Sequence, residues 1–163
     1  MDEENFWEIV QRANDISDGN MDRKCDVLRQ QISALSKDAA LEFAQLFDAK
    51  MDIAYSWPLW GAAYVIHGGC GDDTFSDFRA SLISRGPQAF ERALSDPDTL
   101  ADEDPGESDW FYEGYQYAVT RGVEAVTGKR PPRRMPAPGQ PSGAEWREDE
   151  VYALFPKLSA KFG

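Results

Sequence analysis

Residues 36–54 read SKDAALEFAQLFDAKMDIA, and this stretch decides the fold class. Its apolar side chains recur every three or four residues, at Ala40, Phe43, Ala44, Phe47, Met51 and Ala54. That spacing places them on one side of an α-helix. Ser36 is a favourable N-cap, because its hydroxyl can accept a hydrogen bond from a free N–H of the first turn. The stretch therefore predicts an amphipathic helix with a broad buried face.

The same periodicity continues on both sides of this helix. Turns rich in glycine separate the helices, at Asp18-Gly19-Asn20, Gly68-Gly69, Gly86-Pro87 and Gly128. Pro58 suits the first turn of a helix that runs to about His67. No segment alternates between polar and apolar residues over the length of a β-strand. The sequence predicts an all-α fold, a compact orthogonal or bundle-like pack of about seven helices with a Pro-rich basic strap and a short C-terminal helix.

Three expectations concern individual helices. The helix after the first turn carries an apolar seam of Met21, Cys25, Leu28, Ile32 and Leu35. An acidic segment at 96–109 predicts a loop, followed by a long helix that Ser108 or Asp109 caps and that buries Phe111. Pro156 is expected to end a short helix over residues 149–155, because proline lacks the N–H that an interior helical position needs.

Charge divides the chain into three parts. Residues 1–128 carry 10 basic and 25 acidic side chains, and form an acidic helical domain. Residues 129–144 contain five of the ten prolines and the basic run KRPPRR, so they form a linker or strap. Residues 145–163 form a short C-terminal segment. The strap is interpreted as lying against its own acidic domain or, alternatively, as docking on an acidic partner.

Composition excludes several classes of protein. The net charge of −12 over 163 residues makes direct nucleic-acid binding unfavourable, since phosphate contacts need lysine and arginine. No apolar run approaches the ~18 residues of a membrane span, so no membrane association is expected. Two cysteines and no leading signal sequence indicate a reduced, cytoplasmic setting.

The turn His67-Gly68-Gly69-Cys70-Gly71-Asp72-Asp73 holds the single histidine and one of the two cysteines. A structural turn is the favoured interpretation, because the glycines end one helix and Asp72 or Asp73 starts the next. A thiol or metal site and a ligand-binding corner are the alternatives. One histidine and one cysteine do not supply the four ligands of a zinc site, so no metal is assigned.

Paired carboxylates give the second candidate site. Asp48 and Asp52 lie four residues apart and share one helix face, where two like charges require a cation between them. Arg79, which lies past Asp73 on the fifth predicted helix, is the candidate cation. The three residues either form a structural network or, with Asp72 and Asp73, line a cleft whose carboxylates differ in proton affinity. Two aromatic residues at helical spacing, Trp60 and Tyr64, either pack in the core or line the same cleft.

These residues belong to longer motifs that resemble a bacterial domain family, common in actinomycetes, called domain of unknown function number forty-two forty. The motifs are Phe6-Trp7, Phe47-Asp48-x-x-Met51-Asp52-x-Ala54-Tyr55, Trp57-x-Leu59-Trp60-x-Ala62-Ala63-Tyr64, Gly68-Gly69-Cys70 and Phe78-Arg79. The resemblance covers about residues 1–128 and implies a helical fold, no known activity and a mild preference for a binding or regulatory role. His67 replaces an expected asparagine and Ser81 an expected tryptophan, which argues against a family-wide catalytic histidine.

The leading hypothesis is a non-catalytic helical binding or regulatory module for a protein partner or a small ligand. Its surface would contain Asp48, Asp52, Trp60, Tyr64, Asp72, Asp73 and Arg79. The alternative is an enzyme that uses paired carboxylates, with or without a divalent cation, in the same cleft. A third hypothesis is an acidic mimic of nucleic acid. The sequence indicates no particular cofactor, partner identity or oligomeric state.

Overall fold

The computed structural model describes residues 1–103, 107–133 and 136–163, and it is built from α-helices. The helices are α1 (Glu3–Ser17), α2 (Met21–Ser33), α3 (Lys37–Ile53), α4 (Trp57–His67), α5 (Asp72–Ile83), α6 (Pro87–Ser95), α7 (Glu107–Trp110), α8 (Gly114–Thr127), α9 (Val151–Leu154) and α10 (Pro156–Phe162). A 3-10 helix spans Pro97–Asp102. The described ranges contain no β-strand, and their single bridge joins Ser56 to Ser142. The predicted all-α fold is confirmed.

The helix starts follow the local chemistry of the sequence. Side-chain oxygens at four N-caps accept backbone N–H groups that the first turn leaves free, and these caps are Asp2, Asn20, Ser36 and Ser56. Gly68 ends α4 in the left-handed conformation at φ 71°, which glycine adopts without a steric cost. The predicted starts of α3 and α4 are confirmed.

Helices α2, α3 and α8 pack together and build one part of the core. The buried residues of α2 are Met21, Lys24, Leu28 and Ile32. Of the predicted seam, Met21, Leu28 and Ile32 are buried, and Cys25 and Leu35 are half-buried against the core, with Leu35 beyond the end of α2. The burial of Lys24 was not predicted. None of the helices within the described ranges is both long and apolar enough to cross a membrane.

Gly122 lets α8 approach α2 closely. A Cβ atom at this position would lie 2.9 Å from Ile32 Cβ and 3.3 Å from the Arg29 carbonyl oxygen. We expect Gly122→Ala to lower the free energy of unfolding by about 2 kcal/mol, because the strain of overpacking exceeds the gain in helix propensity. Urea denaturation measures the change. Gly139→Ala is the control, since a Cβ there meets nothing within 4 Å, and equal stability of both variants would contradict the expectation.

The long helix before the strap starts later than predicted. Helix α8 begins at Gly114, and α7 with a turn at Phe111 precedes it. Three consecutive aromatic residues lie at this break, and of these side chains Trp110 alone is buried. Trp110 is buried, Phe111 packs on Phe78 at 5.6 Å, and the Tyr112 hydroxyl donates to Asp22. The side chain of Ser108, the alternative predicted cap, lies outside the described residues, as do positions 104–106 of the acidic segment.

Pro156 follows the end of one helix, as predicted, and also begins another, because α9 ends at Leu154 and α10 starts at Pro156. It occupies the first turn of α10, where its missing N–H is not needed. The Asp98 carboxylate accepts hydrogen bonds from the backbone N–H groups of Lys157 and Leu158 at 3.1 and 3.0 Å. A side chain distant in sequence therefore supplies the cap. Leu158 is fully buried, so α10 joins the main core.

The strap ends at a clamp formed by Ser142 and Trp146. Ser142 exchanges backbone hydrogen bonds with Tyr55 and Trp57, and the Trp146 indole donates to the Trp57 carbonyl at 2.6 Å. Gly61 leaves room for the Trp146 ring, because a Cβ there would lie 2.9 Å from the indole nitrogen. The clamp fixes one end of the strap, and α8 fixes the other. Strap positions 134 and 135 lie outside the described residues.

Candidate functional site

Three adjacent cavities follow the surface between α3, α5, α8 and the strap. Their volumes are about 640, 590 and 210 Å³, and Asp48 and Arg133 line all three. Seven carboxylates line them together, from Glu42, Asp48, Asp52, Asp72, Asp73, Asp77 and Glu113. We call this continuous surface the acidic groove. It contains most of the charged residues that the sequence singled out.

A strap arginine pairs with both carboxylates of α3. Arg133 Nη2 donates to the two Asp52 oxygens at 2.8 and 2.7 Å, and Arg133 Nη1 lies 3.8 Å from Asp48 Oδ1. Burial raises the pKa of Asp48, and the Asp52 charge raises it further, although Arg133 acts in the opposite direction. The cation required between the two like charges is therefore present, and it comes from the strap.

Arg79 has another role than the one predicted from the sequence. Its Nη1 donates to the carbonyl of Met51 at 2.9 Å. Its guanidinium lies over the rings of Tyr55 and Phe75, at 4.7 and 4.9 Å from their centres. Burial lowers the pKa of Arg79. Arg79 therefore joins α5 to the end of α3, and Arg133 takes the predicted position between the carboxylates.

The two aromatic candidates lie elsewhere. Trp60 stacks on Phe75 at 4.9 Å, and its indole donates to the Cys70 carbonyl at 2.8 Å. Tyr64 packs against Trp146 at 5.1 Å, beneath the C-terminal segment. Neither side chain lines the three cavities. The aromatic residues that line the groove are Phe47, Tyr55 and Tyr117, and the Tyr55 hydroxyl lies 3.5 Å from Asp72.

The α5 side of the groove contains Asp77 and Glu113, which the sequence reasoning missed, beside the predicted Asp73. Asp73 and Asp77 lie four residues apart on α5 and face Glu113. Burial raises the pKa of Asp77, and the charges of Glu113 and Asp73 raise it further. The Gln116 amide approaches Asp77 at 3.4 Å. The same four-residue spacing that identified Asp48 and Asp52 is also present here and could have identified this pair.

The glycine-rich turn does not form an activated thiol. Burial raises the pKa of the Cys70 thiol to about 12, so it is protonated at neutral pH. The His67 ring packs on Phe111 with ring centres 4.5 Å apart. Within the described part of the chain, no group of three or more His, Cys, Asp or Glu side chains is arranged to hold a metal ion.

One protein family matches this chain, and its description is "Protein of unknown function (DUF4240)". The match spans residues 1–124, which include all seven carboxylates of the acidic groove and end before the strap. Neither the curated proteins nor the solved structures gave a match.

Proposed function

Since the chain belongs to the DUF4240 family, whose function is unknown, its role must be inferred from its own side chains. We propose that it is a non-catalytic binding module whose acidic groove takes an arginine- and proline-containing segment of a protein partner. Both cysteines are free, and we place this interaction in the reducing cytoplasm.

The contact of Arg133 Nη2 with both oxygens of Asp52 carries the proposal. Hydrogen bonds between a guanidinium and a carboxylate are charge-assisted and are among the stronger protein hydrogen bonds. Within this chain, Arg133 of the strap therefore makes the contact that we propose for an arginine of the partner. An arginine from another chain would make the same contact when the strap leaves.

Spacing within the strap suggests what the ligand looks like. Arg130 and Arg133 are three residues apart, with two prolines between them. A polyproline II helix has three residues per turn and rises ~3.1 Å per residue, so such arginines share one side about 9 Å apart. Arg130 lines the cavity of Asp73, Asp77 and Glu113, while Arg133 pairs with Asp52. We infer that the partner carries an Arg-x-x-Arg segment with intervening prolines.

Asp52→Asn tests the proposal when it is combined with Arg133→Ala, which removes the internal competitor. We expect Asp52→Asn to weaken binding of a labelled peptide with the sequence of residues 129–141 about tenfold, because one charge-assisted pair is lost. Fluorescence anisotropy measures the affinity. The melting temperature should change by only a few degrees, since Asp52 is partly exposed.

Glu124→Gln in the same background is the matched control, because it removes one exposed carboxylate of α8 away from the groove. The peptide in which lysine replaces each arginine should also bind more weakly. Equal affinity of the Asp52→Asn and Glu124→Gln proteins would refute the proposal. A collapse of the melting temperature would instead assign Asp52 a structural role.

One observation favours a second candidate function, acid–base catalysis by Asp48. Burial and the Asp52 charge raise the pKa of Asp48, as a general acid requires. A carboxylate NMR titration of Asp48 in the Arg133→Ala protein tests this candidate. We expect the pKa of Asp48 to rise further there, because the Arg133 charge lowers it, and an Asp48 pKa at the ordinary aspartate value would rule the catalytic candidate out.

A further inference from the structure

A separate cavity of about 270 Å³ lies where α2, the end of α5 and α7 meet, away from the acidic groove. The residues that matter for its chemistry are Asn14, Lys24, Ser81, Ser84, Arg85 and Asp109. Lys24, Ser81 and Ser84 are each at most 2% exposed. The cavity therefore combines two cations with two hydroxyl groups in a largely buried space.

Lys24 lacks the partner that a buried ammonium normally has. An ammonium group has three N–H donors. Among the described residues, the hydrogen-bond partner of Lys24 Nζ is the Ser84 hydroxyl at 3.2 Å, which itself donates to the Ser81 carbonyl at 2.6 Å. Lys50, the other buried lysine of the described ranges, forms an ion pair with Glu3. A buried charge without such a pair is expensive unless a counter-ion satisfies it.

The second cation, Arg85, is held in place by other groups. Its Nε donates to Glu103 at 2.8 Å, and its guanidinium lies on the Trp110 ring at 5.2 Å.

Two effects lower the pKa of Lys24 to about 8. The larger is the burial of its ammonium group, and the second is the charge of Arg85. Asp109 also faces the cavity and acts in the opposite direction. Lys24 thus remains largely charged at neutral pH and needs an anion.

We infer that this cavity binds a small oxyanion, a carboxylate or a phosphate group, through Lys24 Nζ. The Ser81 and Ser84 hydroxyls and Arg85 would supply further donors, and the Asp109 carboxylate limits the negative charge that the cavity accepts. The volume restricts the ligand to a few heavy atoms around the oxyanion. The site is independent of the acidic groove and of the function proposed for that groove.

The test follows the Lys24 side chain directly in the unmodified protein. Lysine labelled with ¹³C at Cε gives one resonance for each of the six lysines, and the resonance that is missing from a Lys24→Arg protein is assigned to Lys24. We expect sodium acetate or sodium phosphate to move its midpoint upward by at least one pH unit, because a bound anion favours the ammonium form. Sodium chloride at equal ionic strength should not do this. A response to acetate alone identifies a carboxylate ligand, and a response to phosphate alone identifies a phosphate.

The Lys24→Met variant provides a second test of anion binding, with the melting temperature as its readout. We expect acetate or phosphate to raise the melting temperature of the wild-type protein above the chloride control, and this increase to vanish in Lys24→Met but not in Lys37→Met, which changes an exposed lysine. If Lys24→Met does not fold, the titration of the wild-type protein decides alone. An unchanged Lys24 midpoint with both anions, or an anion effect that persists without Lys24, would overturn the inference.

Discussion

Replacing Arg133 with alanine is expected to raise the affinity of the acidic groove for the strap peptide by tenfold to a hundredfold. In the wild-type protein the strap occupies the groove through Asp52 and Asp48. A tethered segment competes at an effective concentration of about 1 mM, which penalises an added peptide by this factor when the dissociation constant of the segment is about 10 to 100 μM. Removing the guanidinium removes the competitor and leaves every groove carboxylate in place.

Fluorescence anisotropy with the labelled peptide measures this gain. Arg147→Ala is the matched control, because Arg147 is an exposed arginine of the C-terminal segment that pairs with Asp149 and Glu150. The control should leave the affinity at the wild-type value. Equal affinities of the Arg133→Ala and wild-type proteins would show that the strap does not occlude the groove.

Replacing Lys24 with methionine is expected to stabilise the protein by about 3 kcal/mol at pH 7. Burial lowers the pKa of Lys24 from 10.5 to about 8, and each pKa unit corresponds to ~1.4 kcal/mol. Methionine fills a similar volume without charge. The Ser84 hydroxyl keeps its hydrogen bond to the Ser81 carbonyl, so no new unpaired group is created.

The pH dependence of this gain identifies its cause. The unfolded protein binds the Lys24 proton more tightly than the folded protein, so the wild-type protein gains stability as the pH rises from 8 to 10.5. The difference between Lys24→Met and wild type is therefore largest below pH 8 and disappears above pH 10.5. Comparing the two proteins at each pH cancels the titration of the groups that do not interact with Lys24. The groups that do interact with it are Cys25, Arg85 and Asp109.

Urea denaturation in a buffer without carboxylate or phosphate measures both quantities. Lys37→Met controls for the loss of one positive charge at an exposed position, and its effect should be within about 0.5 kcal/mol. A destabilised Lys24→Met protein, or a gain that is constant with pH, would mean that Lys24 is stabilised by contacts other than those described above.

Local chemistry determined most of the fold. Helix periodicity and the caps at Ser36 and Ser56 depend on neighbours within four residues, so the sequence predicts them well. The start of α8 depends on where Trp110 and Phe111 find space in the core, which periodicity does not report. The start of α10 depends on Asp98, which lies 60 residues from Leu158.

The candidate site also combines residues that the sequence could predict with contacts that it could not. Asp48 and Asp52 share a face because of their spacing, and the sequence shows it. Arg133 lies 81 residues from Asp52, so their pairing is a property of the folded chain. Lys24 is different, because it lies three residues after Met21 and four before Leu28 and so shares their buried face. The helical spacing could therefore have predicted that Lys24 is buried, but lysine is ordinarily expected to be exposed.

The clamp at Ser142 and Trp146 determines what happens after the strap is cut. Because both ends are anchored, the intact strap re-forms its contacts by loop closure, which takes well under a millisecond for a loop of this size. A protease that cleaves the strap would leave Arg133 anchored at one end only, through α8 or through the clamp. The C-terminal fragment would stay bound, since Val151, Phe155 and Leu158 are buried in the core. Limited proteolysis would therefore yield a nicked, two-chain protein in which the strap competes for the groove at a lower effective concentration.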